Sequence, residues 1–168
     1  HPPLGKWLIA IGEHFFGMTP FGWRISACVF GALLVFLTVR LARRLSRSTL
    51  VGGIAGLLIT FDGLAFTMSR IALLDIFQAT FVLAAVAALV ADRDWFRLRL
   101  ADYLRRNNLD SLDGDYGPLV LFRPWRLVAG LMFGAACAVK WNSVYVMAVF
   151  GILIVAWDIG ARRLAGAG

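Results

Sequence analysis

Successive apolar runs of membrane-crossing length, each bounded by charge, decide what this chain can fold into. The first occupies residues 21–41 and is followed by Arg43, Arg44 and Arg47. A second covers 49–68 and is interrupted at Asp62-Gly63, and a third covers 71–91, with Asp75 and Gln78 near its start. A hydrocarbon core about 30 Å thick takes ~20 apolar residues as a helix, and lipid offers no hydrogen-bond partner to an open backbone. Hydrophobic residues make up 60% of the 168, against roughly 45–50% in a soluble domain. The chain therefore reads as an all-α integral membrane protein. No signal-peptide pattern precedes the runs and the first residue already lies inside a motif, so it also reads as an internal piece of a longer protein.

The segments around these three runs are shorter. Pro2 and Pro3 suit the first turn of a helix, where a missing N–H costs nothing. Leu4, Trp7, Leu8, Ile11 and Phe15 then recur at helical spacing while Lys6, Ala10 and Glu13 line another face, until Gly17, Thr19 and Pro20 end the pattern. About 14 residues cannot span, so residues 1–20 are expected to form an external loop with an interfacial amphipathic helix. After the third run, 92–123 is charged and carries turn signals at Asn107-Asn108 and Asp113-Gly114-Asp115. This predicts a loop over 92–124, with room for a surface helix around 95–106. Two further spans are expected over 125–160. Their uncharged stretches, 127–139 and 141–157, hold 13 and 17 residues, and snorkelling of Arg126 and Lys140 or local thinning of the bilayer closes the gap.

Charge parity tests this layout of one multi-span domain. If the flank after the first run, the long loop and the C-terminal Arg162-Arg163 share one side, that side holds Arg40, Arg43, Arg44, Arg47, Arg93, Arg97, Arg99, Arg105, Arg106, Arg123 and Arg126 as well. These are 13 of the 17 Lys and Arg, as the positive-inside rule prefers for the cytoplasmic side. Two crossings between Arg126 and Arg162 keep the parity and one would break it, which gives five spans. The net charge of +7 is thus a membrane-flank signature, and no nucleic-acid partner is expected.

Four cations remain, Lys6, Arg24, Arg70 and Lys140, all at the opposite, outer ends of helices, with Glu13, Asp62 and Asp75 on the same side. Cations there work against the topology rule and need another reason. Separated cations above a bilayer suit a lipid-borne phosphate: Arg makes bidentate contacts and Lys supplies a point charge. If that phosphate leaves, the same cations stabilise the charge that develops, and an acceptor would need a base, for which Glu13, Asp62 and Asp75 are the carboxylates at hand. Each residue also has a plainer reading. Arg24 anchors its span at the headgroups; Asp62 shapes the break before Gly63. Asp75, on one helical face with Gln78, forms a structural bridge to Arg70 or Arg24. Lys140-Trp141-Asn142 is an interfacial anchor and His14 a surface residue. Cys28 and Cys137 lie in apolar runs without disulfide or metal spacing. With no HExxH, Walker loop, dinucleotide fingerprint or CxxC, no metal or cofactor is expected.

Four segments occur in a telling order: His1-Pro2-Pro3-Leu4-Gly5-Lys6, then Arg24, then Ser69-Arg70-Ile71-Ala72-Leu73-Leu74-Asp75, then Val139-Lys140-Trp141-Asn142. Together they resemble the protein O-mannosyltransferases, the dolichyl-phosphate-mannose–protein mannosyltransferase family, over nearly the whole chain. The Arg-rich, Lys-poor usage resembles a bacterial member. The resemblance implies a GT-C helical bundle in the plasma membrane, with its site on the extracytoplasmic side. It implies transfer of mannose, with inversion, from a polyprenyl or dolichyl phosphate mannose donor to Ser or Thr hydroxyls of exported proteins, among membrane lipids. It also implies that Arg24 lies near the donor phosphate, that His1 and Lys6 frame the same pocket, and that Glu13, Arg70, Asp75, Lys140 and Asn142 support it. The family's Asp-Glu motif, which supplies the catalytic base, lies upstream of the His-Pro-Pro sequence and is not among these residues. Asp62 and Asp75 are the weaker candidates within them, and the stretch is expected to be inactive alone. Two other readings stay open: a GT-C transferase acting on lipid or cell-wall glycan, and a piece of a membrane transporter.

Overall fold

The computed structural model describes residues 2–114, 116–120 and 122–166; His1, placed by the resemblance in the donor pocket, lies outside the described residues. Among the described residues the structure consists of helices and their connections, without strands: α1 (Leu4–Phe16), α2 (Pro20–Ser46), α3 (Thr49–Phe61), α4 (Gly63–Arg70), α5 (Leu74–Arg106), α6 (Pro124–Val139) and α7 (Ser143–Leu164). By length and composition α2, α5 and α7 can each cross a membrane. The bent pair α3–α4 adds a fourth crossing if taken as one span, and α6 is apolar but only 16 residues long. The short penultimate segment of the sequence is thus a short helix.

Local chemistry sets the boundaries. Thr19 caps α2 by accepting the Gly22 N–H at 3.2 Å, with Pro20 at the first helical position. Arg47 ends that helix in the left-handed conformation, φ 55°, and Ser48 caps α3 one residue later. Asp62 closes α3 and opens α4: its Oδ2 accepts the Ala65 N–H at 2.8 Å, and the two helices meet at 62°. The interruption at Asp62-Gly63 is therefore a capped bend.

Close helix contacts run through small residues, as expected where lipid removes the hydrophobic drive between helices. A Cβ on Gly52 would lie 2.9 Å from the Val39 carbonyl oxygen, and one on Gly56 would lie 2.3 Å from Val39 Cγ2, so α3 sits directly on α2. Helices α2 and α5 run in step. Thr80 Oγ1 donates to the Phe30 carbonyl at 3.1 Å and Arg44 Nε to Asp94 Oδ2 at 2.8 Å, both across an offset of 50 residues. Two apolar clusters fill the bundle, one around Ala27, Leu34, Ile76, Phe77 and Val139, the other around Ala85, Ala88, Leu89, Ala129 and Phe133.

The expected loop from residue 92 starts later in the structure. Helix α5 continues without a break to Arg106, because nothing between Leu74 and Arg106 is Gly or Pro. Its 33 residues extend about 50 Å, well beyond a ~30 Å hydrocarbon core. The charged far turns are held by their own side chains. A hydrogen bond from Arg105, aided by the charge of Arg106 (3.1 Å), keeps the partly exposed Asp102 carboxyl below its ordinary range.

Near the middle of α5, Asp92 anchors a charge network that the sequence reading treated as separate flanks. Arg123 Nε and Nη2 donate to the two Asp92 oxygens at 3.0 and 2.6 Å, and Arg123 Nη1 reaches Asp158 of α7 at 2.7 Å. Arg126 bridges the same two carboxylates at 3.2 and 2.9 Å. The side chains of Arg123 and Asp92 are only 7% and 3% exposed, and the Arg123 guanidinium stacks 4.3 Å from the Phe96 ring centre. Two aspartates and two arginines thus neutralise one another where α5, α6 and α7 meet.

Candidate functional site

The opposite end of the bundle is built on the start of α5. A turn through Ala72 (φ 54°) separates α4 from α5 and puts Asp75 in the first helical turn. Asp75 and Gln78, three residues apart, lie on one face. They face the break between α6 and α7, where Lys140 is extended (φ −148°, ψ 134°). The Lys140 ammonium pairs with Asp75 Oδ1. Gln78 Nε2 donates to Asn142 Oδ1 at 2.6 Å and to Ser143 Oγ at 2.7 Å. The bridge that the sequence offered to Arg70 or Arg24 as one reading is made by Lys140 instead, which the α6–α7 break places beside that turn of α5.

Helix α1 lies across this end. A Cβ on Gly5 would meet Leu74 Cδ2 at 2.7 Å and Val139 Cγ1 at 3.2 Å, and one on Gly12 would meet the Gly22 carbonyl oxygen at 2.3 Å. Ser26 Oγ adds a hydrogen bond to the Leu8 carbonyl at 2.7 Å. These contacts seat Lys6, next to Gly5, beside the first turn of α5. Trp7, Ile11 and Phe15 remain exposed, leaving an apolar side suited to an interface.

Arg24 stands one turn before Cys28 on α2, and Cys28 Sγ donates to the Ser69 carbonyl at 3.3 Å. The face of α2 that carries Arg24 therefore runs toward the end of α4, where Arg70 lies 4.8 Å from the Phe66 ring centre. Lys6, Arg24 and Arg70 are exposed and make no ion pair among the described residues. Glu13 is half-buried on α1 close to Gly22, Asp62 is occupied as a helix cap, and Asn142 accepts from Gln78. One end of the bundle thus presents three uncommitted cations and a fourth held by a carboxylate. Ser143, fully buried beneath Gln78, was not singled out in the sequence, where a hydroxyl after Asn142 carries no signal of its own.

Helices of membrane-crossing length, packed through glycines and carrying Lys6, Arg24, Arg70 and Lys140 at one end, define a polytopic helical membrane protein. Residues 1–100 match the family described as dolichyl-phosphate-mannose-protein mannosyltransferase. The chain is 50% identical over 163 residues to a polyprenol-phosphate-mannose–protein mannosyltransferase of Mycobacterium tuberculosis, covering 97% of this chain and 31% of that protein. It is 44% identical to the Corynebacterium glutamicum protein of the same name, covering 99% and 32%. A shorter stretch of 74 residues, 44% of this chain and 14% of the relative, is 42% identical to an undecaprenyl phosphate-alpha-4-amino-4-deoxy-L-arabinose arabinosyl transferase of Pseudomonas paraeruginosa. No solved structure matches significantly. The chain belongs to the dolichyl-phosphate-mannose-protein mannosyltransferase family. It spans about a third of the length of the mycobacterial and corynebacterial relatives it matches.

Proposed function

We propose that the protein transfers mannose from a polyprenyl phosphate mannose donor to Ser or Thr hydroxyls of exported proteins, at the extracytoplasmic face of a bacterial plasma membrane. The observation that carries this reading is the trio Lys6, Arg24 and Arg70, exposed and without ion pairs among the described residues, at the end of the bundle where topology disfavours cations. In this reading they hold the donor phosphate, and Lys140, oriented by Asp75, adds a fourth charge. The acceptor oxygen bonds to the sugar C1 as the C1–O bond to phosphate breaks, its proton passing to a carboxylate base. Polyprenyl phosphate leaves with the bond's electron pair. Cations already in place lower the barrier by stabilising that departing charge.

The test compares full-length wild type with Arg24→Ala in membranes, reading labelled mannose transferred to a Ser/Thr-rich peptide, with protein level checked in parallel. Transfer by wild type and its loss in a stably inserted variant support the donor-phosphate role. Absence of transfer by intact wild type sinks the reading. The likeness of 74 residues to an arabinosyl transferase that uses an undecaprenyl phosphate sugar favours one second reading, a lipid-phosphate sugar transferase with a glycan acceptor. Label appearing in lipid or glycan instead of peptide would select it.

A further inference from the structure

A groove of about 640 Å³ opens between α2, α5 and α6 at the arginine-rich end. Its floor is α5, where Ala84, Ala87, Ala88 and Ala91 leave space that larger side chains would fill. Phe36 and Leu37 of α2 form one wall; Val128 and Met132 of α6 form the other. Arg40, Arg43, Arg44 and Trp125 stand at its mouth. From Ala84 to Ala91 the floor runs about 10 Å along the helix axis.

We propose that this groove binds an anionic glycerophospholipid of the adjacent leaflet, its phosphate held by Arg40 and Arg43 and one acyl chain lying along the alanine floor. The charges facing the mouth favour an anion. Arg44 is tied to Asp94 at 2.8 Å, a carboxylate that Arg93 shares at 3.1 Å. Asp92, the residue after Ala91, is committed to Arg123 and Arg126. Arg40 lies 5.7 Å from the Phe36 ring centre, and neither Arg40 nor Arg43 makes an ion pair among the described residues. A free phosphate has no use for the apolar floor, and a neutral lipid gains little from two uncommitted guanidinium groups. Trp125 sits where an indole favours the headgroup boundary. Charge asymmetry assigns this end to the cytoplasmic leaflet, where anionic lipids concentrate. The inference does not depend on which sugar the protein moves.

Native mass spectrometry of the purified full-length protein, stripped of lipid and then given phosphatidylglycerol or phosphatidylcholine, tests it. Wild type should retain phosphatidylglycerol about tenfold better than phosphatidylcholine, and Arg40→Gln with Arg43→Gln should erase that preference. Ala87→Phe fills the floor without touching a charge, and should cut retention even if the arginine variant fails to fold. Equal retention of the two lipids, or phosphatidylglycerol binding that survives both variants, overturns the proposal. So does a cross-link from Ala87→Cys to another helix of the full-length protein, which would mean that protein and not lipid fills the groove.

Discussion

Asp75, in the first turn of α5, pairs with Lys140 at the end of α6, and among the described residues the contact fixes the one cation of the outer cluster that is ion-paired. Both side chains remain partly exposed, 37% and 21%, so solvent screens the pair and its worth in stability is about 1 kcal/mol. Its larger consequence is positional. Asp75→Asn should leave the protein in the membrane yet lower mannose transfer by about ten- to hundredfold, because a displaced charge stabilises the leaving phosphate poorly. In a cycle with Lys140→Gln, the double variant should be less impaired than the sum of the singles. Additive losses would deny the coupling.

The buried network predicts the opposite balance. Arg123→Leu leaves Asp92, 2% exposed, with only the more exposed Arg126 beside it, and should cost roughly 3–5 kcal/mol. Arg44→Ala removes a pair whose side chains are 45% and 32% exposed and should cost under about 1 kcal/mol. Thermal unfolding in detergent ranks them; similar midpoints for the two variants would contradict the burial argument.

Gly12 should tolerate nothing larger. Its Cβ would strike a backbone oxygen at 2.3 Å, which no side-chain rotation relieves, so Gly12→Ala should cost about 1–3 kcal/mol and lift α1 from α2. Gly53→Ala meets nothing within 4 Å and should gain about 0.5–1 kcal/mol by stiffening the helix. Unfolding midpoints that move the same way in both would refute this packing of α1.

Asp62 separates a structural role from a chemical one. As the cap of α4 it should accept replacement by Asn with stability and transfer retained, while Asp62→Ala loses about 1 kcal/mol. Transfer abolished by Asp62→Asn in a stable protein would instead make it a proton acceptor.

Much of this arrangement is legible in the sequence, for reasons particular to each element. The apolar runs and their arginine flanks give α2 and α7 because lipid permits so little else. The pattern of Leu4, Trp7, Leu8 and Ile11 gives α1, and Asp62-Gly63 marks a real bend. The sequence leaves room for a helix around 95–106 but does not show that it continues α5, since hydropathy drops at Asp92 whereas helix continuity depends on the absence of breakers. The partners of Asp75 and Asp92 are not legible in the sequence either. Lys140 is 65 residues from Asp75 and Arg123 is 31 from Asp92, and no local spacing encodes a contact made by the packing of separate helices.

The network at Asp92 also imposes an order on how this end can be put together. Arg123 stands at the N-cap and Arg126 in the first turn of α6, a helix of 16 residues that has little length with which to hold itself across a bilayer. Their second carboxylate, Asp158, is made 35 residues after Arg123, near the end of the following helix. As the chain emerges from the ribosome, α6 therefore has its complete set of counter-charges only once α7 has entered beside it. The two are matched as a hairpin delivered together, and α7 locks the helix before it.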